Sequence, residues 1–367
     1  MSSMTRRERV LAASRGQRPD RLPFFHYWRH SQQGWAEREC RNRGMGLCWL
    51  RPCATERVHG VEVVERQATV AGLSVVQRTY VTPVGSVSMA ERRDAGVGQW
   101  HGQRSWRGET PWQVERLIKG PEDYRVVRYI VEHTEYAADY FPIEQAMDWL
   151  DQDGAVLTAL PHSPMQTLMI DWIGSEGGRF YYHHADHPDL VEGLYEALVE
   201  SRRPLYEIAA RAPAPVVLCG DNVDGVLVTP ALFERYFAPV WAEQARLLHE
   251  HGKLMAVHMD GRLKTLKQHI AATQVDIVEA FHPPPMGDLS LGEALDAWPG
   301  KAIWIGFPSD AYAMGPRAVQ DYARGLLAEA GTGDRLAVAM STENQVSNEN
   351  LLALTEVLSA AELPLRQ

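Results

Sequence analysis

From residue 155 onward the chain repeats one pattern: a short run of continuous apolar residues, a few polar residues, then a stretch of helical period. The runs are Ala155–Leu160, Val216–Gly220, Leu254–His258, Ile277–Phe281, Ala302–Gly306 and Leu336–Met340. Helical spacing falls near residues 188–211, 230–251, 262–271, 290–297 and 315–329, with a last helix near 347–360. A strand that is apolar throughout, rather than at alternate positions, is buried on both faces. Parallel sheets wrapped in helices meet that condition. A further strand is expected near residues 22–27, and an eighth must lie before residue 155.

The polar residues decide between a closed barrel and an open sheet. His162, Asp221-Asn222, His258 and Asp260, Glu279, His282, Ser309-Asp310 and Glu343 lie at or just after the ends of successive runs. A barrel gathers its chemistry at the C-terminal ends of all its strands. An open sheet gathers it at one or two switch points. The expectation is therefore an α/β chain with a TIM-type (β/α)8 barrel. It would be a single domain over residues 1–367, with residues 1–150 supplying an N-terminal helical and hairpin extension and the first barrel elements.

In that extension, Thr5 and Glu8 have capping-box spacing for a helix over Thr5–Ser14, ended by Gly16 and Pro19. Residues 61–90 alternate in strand fashion and are broken at Gly72 and at Thr82-Pro83-Val84-Gly85, which reads as an antiparallel hairpin layer. Helix is expected over 112–136 and 164–174.

A net charge of -10 argues against a nucleic-acid binder. The basic residues between Arg6 and Arg21 alternate with apolar ones, as on a solvated helix face. The four cysteines form no C-x-x-C pair, and Cys219, within an apolar run, reads as buried and structural. No apolar stretch is long enough to span a membrane, so a cytoplasmic protein with reduced thiols is expected.

His258 and Asp260 are two residues apart, so on a strand they share a face, and Gly261 lets the chain turn away. An imidazole and a carboxylate converging there suit a divalent metal such as zinc; spacing alone favours a hydrogen-bonded pair without metal. Glu279 ends an apolar strand, where a carboxylate must be paired, metal-bound or protonated. Glu343 follows the last strand and can serve as a distant ligand or lie at a helix start. Asp221 and Asn222 can bind substrate or cap a turn. His26 and Tyr27, after the first strand, can line the mouth or equally serve plain packing, and His162 and His282 can line the mouth with them. His183, His184 and His187 read as solvated or capping residues.

Several segments resemble the uroporphyrinogen decarboxylase superfamily, over essentially the whole chain. They are Thr5–Ala13, Arg18–Phe24, Thr82–Gly85, Thr229–Tyr236 with Pro239, and Asn348–Leu351. The segment Phe24–His30 lacks the arginine-rich motif with which the true decarboxylases hold propionates. The resemblance is closer to the branch of zinc-dependent, corrinoid-linked methyltransferases. There His258 falls where that branch has a zinc-ligating histidine, while Asp260 and Glu343 stand near its thiolate positions. The resemblance implies a site of His258, Asp260 and Glu343, with Glu279 or Asp221 binding substrate or completing the metal shell. It further implies O-demethylation of a small methoxylated, aromatic substrate, with the cobalamin on a separate corrinoid-binding protein and a homodimer as the assembly. A metal-assisted decarboxylase or lyase on the same barrel is the alternative.

Overall fold

The computed structural model describes residues 3–31, 33–92, 99–100, 103–104, 112–342 and 346–365. Eight parallel strands close into a barrel, and the six apolar runs supply six of them. In chain order they are β1 (Phe24–Tyr27), β2 (Gly46–Arg51), β3 (Gly154–Leu160), β4 (Val216–Cys219), β5 (Leu254–His258), β6 (Ile277–Phe281), β7 (Ala302–Gly306) and β8 (Leu336–Ala339). Each pairs with its neighbour in sequence order, and β1 closes on β8 through Phe24↔Val338 and Phe25↔Ala339. The eighth strand, expected somewhere before residue 155, is β2. The expected helices form between strands, among them Pro188–Arg211, Ala238–Glu250, Leu291–Ala297 and Pro316–Glu329, and Asn348–Ser359 follows the last strand.

The two-residue period of a strand sorts the barrel's residues. Phe25, Cys48, Leu157, Leu218, Ala256, Ile277, Trp304 and Ala337 meet in one interior core. Burying side chains of the size of Phe25 and Leu157 contributes about 1.5–3 kcal/mol each. At the strand starts, helix Arg6–Ser14 adds Val10 to the same core, with Leu11 packed against it. The expected capping box is present: Thr5 accepts from the Glu8 amide and Glu8 accepts from the Thr5 amide. The Trp304 indole N–H donates to Ser14 Oγ at 3.3 Å. Gly154, where β3 begins, is required by close approach, since a Cβ there would lie 1.8 Å from the Leu47 carbonyl oxygen of β2.

By internal contacts the chain divides into two units: the barrel unit (1–53, 140–160 and 209–367) and a second formed by residues 54–139 with 161–208. The second unit holds a four-stranded antiparallel sheet in the order Glu62–Val70, Leu73–Thr82, Gly85–Arg92, Trp112–Glu115. Ala71 and Gly72, with φ of 49° and 79°, make the tight turn joining its first two strands.

The helix expected over 112–136 does not form as one element. Residues 112–115 are a strand pairing with Ala90–Arg92, the helix is confined to Asp123–Glu132, and Thr134–Ala138 pairs antiparallel with Ala54–Val58. Gly120-Pro121 interrupts the helical pattern, and sheet pairing satisfies the flanking backbone groups that a helix would otherwise have used. Residues 164–174 contain a short helical turn and then a π-helical segment, Thr167–Trp172. Among the described residues, no helix is long and apolar enough to cross a membrane, and all four cysteines are buried with none in a disulfide.

Candidate active site

The same alternation that fills the barrel core places the site above it. Two residues beyond Phe25, Ala256, Ile277 and Trp304 stand Tyr27, His258, Glu279 and Gly306. His258 and Glu279 are register partners on adjacent strands. His258 Nδ1 lies 2.6 Å from Glu279 Oε2, and the Tyr27 hydroxyl donates to Glu279 Oε1 at 2.5 Å. Glu279 is 2% exposed, so its carboxylate is held by these donors rather than by water. Both of its oxygens are thereby engaged by protein groups, Oε2 by His258 and Oε1 by Tyr27.

With Nδ1 engaged, His258 turns Nε2 toward Asp260, whose Oδ2 is 3.5 Å away. That separation is long for a hydrogen bond. Two ligands each about 2.0–2.1 Å from a tetrahedral zinc stand about 3.3–3.4 Å apart, so the pair fits two neighbouring ligands of one ion. With its amide turned so that the nitrogen faces the carboxylate, the orientation that matches donor to acceptor, Asn222 donates to both oxygens of Asp260, the longer contact being 3.2 Å to Oδ2. Among the described residues no three His, Cys, Asp or Glu side chains converge as a complete metal shell. Glu343, the expected distant ligand, lies outside the described residues.

The electrostatics follow from two carboxylates flanking one ring. Burial alone pushes His258 toward neutrality, but Glu279 and Asp260 outweigh it and hold the ring's pKa up at about 10. Burial raises Asp260, and the charge of the neighbouring His258 ring more than reverses this, so its carboxyl stays below the usual range. The space beside Nε2 thus favours a positive charge, which a proton or a dication can supply. Burial keeps His282 below the usual imidazole value, and it drives the Cys48 thiol well up, with Glu279 adding to the effect.

His282 reaches its position through a β-bulge. Val278 pairs with Ile303 and Phe281 with Ile305, so β6 carries one extra residue against β7. Ala280 takes up the extra length at φ 56°, in the left-handed region that costs an L-residue roughly 1–2 kcal/mol. Beyond the bulge, Phe281 packs outward against Trp298 with ring centroids 6.0 Å apart. The His282 ring comes to lie over Gly306, where an added Cβ would stand 2.4 Å from its Nε2. Bulges that re-aim a side chain are common next to active sites.

The remaining sequence candidates fall as follows. Asp221 is fully buried and its Oδ2 accepts the Trp241 indole N–H at 2.9 Å. His26 is buried, with Nδ1 3.1 Å from both the Tyr27 carbonyl oxygen and Ser341 Oγ. Tyr27 is itself bound at its hydroxyl to Glu279 and at its backbone N–H to Ser341 Oγ, the latter at 2.7 Å. His162 belongs to the second unit, where its Nδ1 lies 2.8 Å from Asp171 Oδ2. In that unit His183 Nδ1 stands 3.0 Å from the Tyr124 hydroxyl. Sequence reasoning passed over Trp241, Gly306 and the bulge at Ala280. Only Gly306 left a signal, because glycine ending an apolar strand marks a close approach.

No family model matches the chain, and no curated protein matches its sequence. Among solved structures it is similar to a methyltransferase from Methanosarcina mazei, with a TM-score of 0.58 at 12% identity, covering 96% of this chain and 98% of that one. An endoglucanase of the GH5-4 type from an uncultured bacterium aligns over 66% of this chain and 85% of its own, with a TM-score of 0.35 at 10% identity, and carries no argument. The first likeness establishes a shared fold along the whole chain: this protein is built as a (β/α)8 barrel whose candidate site stands at the C-terminal strand ends.

Proposed function

We propose that this chain is a zinc-dependent methyltransferase that moves a methyl group from a small methoxylated aromatic substrate to a corrinoid on a separate protein. The observation that carries the reading is the pair His258 Nε2 and Asp260 Oδ2, 3.5 Å apart, with Glu279 hydrogen-bonded behind the histidine. That is the arrangement of a ligating imidazole with a carboxylate on its far nitrogen. The whole-length fold likeness to a methyltransferase supports the same direction.

His258 and Asp260 would hold the ion, with Glu343 as the third ligand that the family resemblance implies. Zinc, when bound, would act as a Lewis acid toward the substrate's ether oxygen and stabilise the departing oxyanion. Nitrogen and carboxylate donors favour oxygen over sulfur as the incoming group. Glu279 keeps the His258 Nδ1 proton in place, and Asn222 fixes the rotation of the Asp260 carboxylate. His282, neutral through burial, can donate a hydrogen bond to a phenolate. Below them the apolar layer of Phe25, Leu218 and Ala256 excludes water.

The test is absorbance of a reduced corrinoid protein mixed with this chain and a panel of methoxybenzoates and methoxyphenols. Methylation of the corrinoid, abolished by His258→Ala, is expected for at least one member. A decarboxylase would instead release carbon dioxide from a carboxylated substrate and leave the corrinoid spectrum unchanged. If no substrate methylates the corrinoid, the reading fails.

A further inference from the structure

The Tyr27 hydroxyl is bonded to Glu279. In the barrel, β7 and β8 stand between β1 and β6, so Tyr27 reaches across the interior to meet Glu279. Its 2.5 Å bond has the length of a charge-assisted O–H to carboxylate contact. The residue is only 8% exposed, which leaves little surface to offer a ligand. Glu279 spends its other oxygen on His258 Nδ1, and His258 in turn aims Nε2 at Asp260. The three side chains form one hydrogen-bonded series from β1 through β6 to β5.

A buried carboxylate held by one donor alone can rotate about its terminal bond. Held at both oxygens, it presents Oε2 in one place, and the imidazole that bonds it adopts one ring orientation. We propose that Tyr27 is a positioning residue: acting through Glu279, it fixes the His258 ring with Nε2 turned to the mouth of the barrel. The orientation itself is independent of what meets Nε2; its consequence for zinc affinity rests on the function proposed above.

Two readouts separate these layers. In protein labelled with 15N-histidine, the proton on His258 Nδ1 should resonate far downfield, assigned by its loss in His258→Gln. Tyr27→Phe should move that resonance and weaken zinc affinity, measured by chelator competition, about tenfold, as loss of a group that holds a ligating histidine in place does. Glu279→Gln should act more strongly on both. Circular dichroism and the denaturation midpoint report whether each variant folds. Should Tyr27→Phe not fold, site-specific difluorotyrosine at position 27 keeps the shape while changing the hydroxyl's acidity, and it must also shift the resonance.

A wild-type resonance that moves in a protein binding no zinc upholds the positioning and refutes the zinc reading. A resonance and a zinc affinity both unchanged in Tyr27→Phe, or a resonance unchanged by the fluorinated residue, overturns the positioning role.

Discussion

Gly306→Ala is the substitution whose effect the site geometry fixes most tightly. The new Cβ would lie 2.4 Å from His282 Nε2, 2.5 Å from its Cε1 and 3.1 Å from its Cδ2. Ordinary contact between such atoms is about 3.5–4.0 Å, so the imidazole must retreat by roughly 1 Å. Forcing an extra carbon into a packed site costs about 1–3 kcal/mol, and here the cost falls on one identifiable ring. A double-mutant cycle isolates it: Gly306→Ala, His282→Ala, and the two together, compared by urea denaturation with the slope checked for constancy. Gly306→Ala should cost about 1–3 kcal/mol alone and less than about 0.5 kcal/mol once His282 is alanine. Equal costs in both backgrounds would show that the His282 ring does not occupy the space over Gly306, and the bulge at Ala280 would lose its assigned purpose.

Two further outcomes follow from buried polar groups. Trp241→Phe removes the indole donor from fully buried Asp221 and should cost about 1–3 kcal/mol; a loss below about 0.5 kcal/mol in equilibrium denaturation would show that the bond contributes little. Lys301, 6% exposed, donates to the carbonyls of Thr273 and Val275, and burial brings its pKa down to about 8. Between that value and the ordinary lysine value near 10.4, the unfolded chain binds more protons than the folded one, so stability rises with pH across that window. The denaturation midpoint of the wild type should therefore climb relative to Lys301→Met from about pH 8 to pH 10; parallel profiles would exclude this source.

What the sequence disclosed depended on the range of the forces involved. The six apolar runs were legible because burial on both faces writes itself into every residue of a strand. β2, which lies outside the strand–helix rhythm of the second half and runs from Gly46 into the charged Arg51, was not marked in this way and was expected only as the strand needed to close the ring. The segment 112–136 misled because the partners that make its ends into strands, Ala54–Val58 and Ala90–Arg92, lie far off in sequence. At the site, strand period put His258 and Glu279 on the inner face. Strict alternation from Ile277 would have turned Phe281 inward and His282 outward; the extra residue at Ala280 reverses both. The tie of Asp221 to Trp241, on the following helix, likewise has no local sequence mark.

Ligation of zinc by His258 and Asp260 is tested most directly by zinc content after equilibrium dialysis against a buffered trace of the metal. The wild type should retain about one equivalent, as a site with a single ion requires, while His258→Ala and Asp260→Ala should fall to background with the fold intact by circular dichroism. Wild-type protein that emerges free of zinc, or a His258→Ala variant that retains the same equivalent, would contradict it.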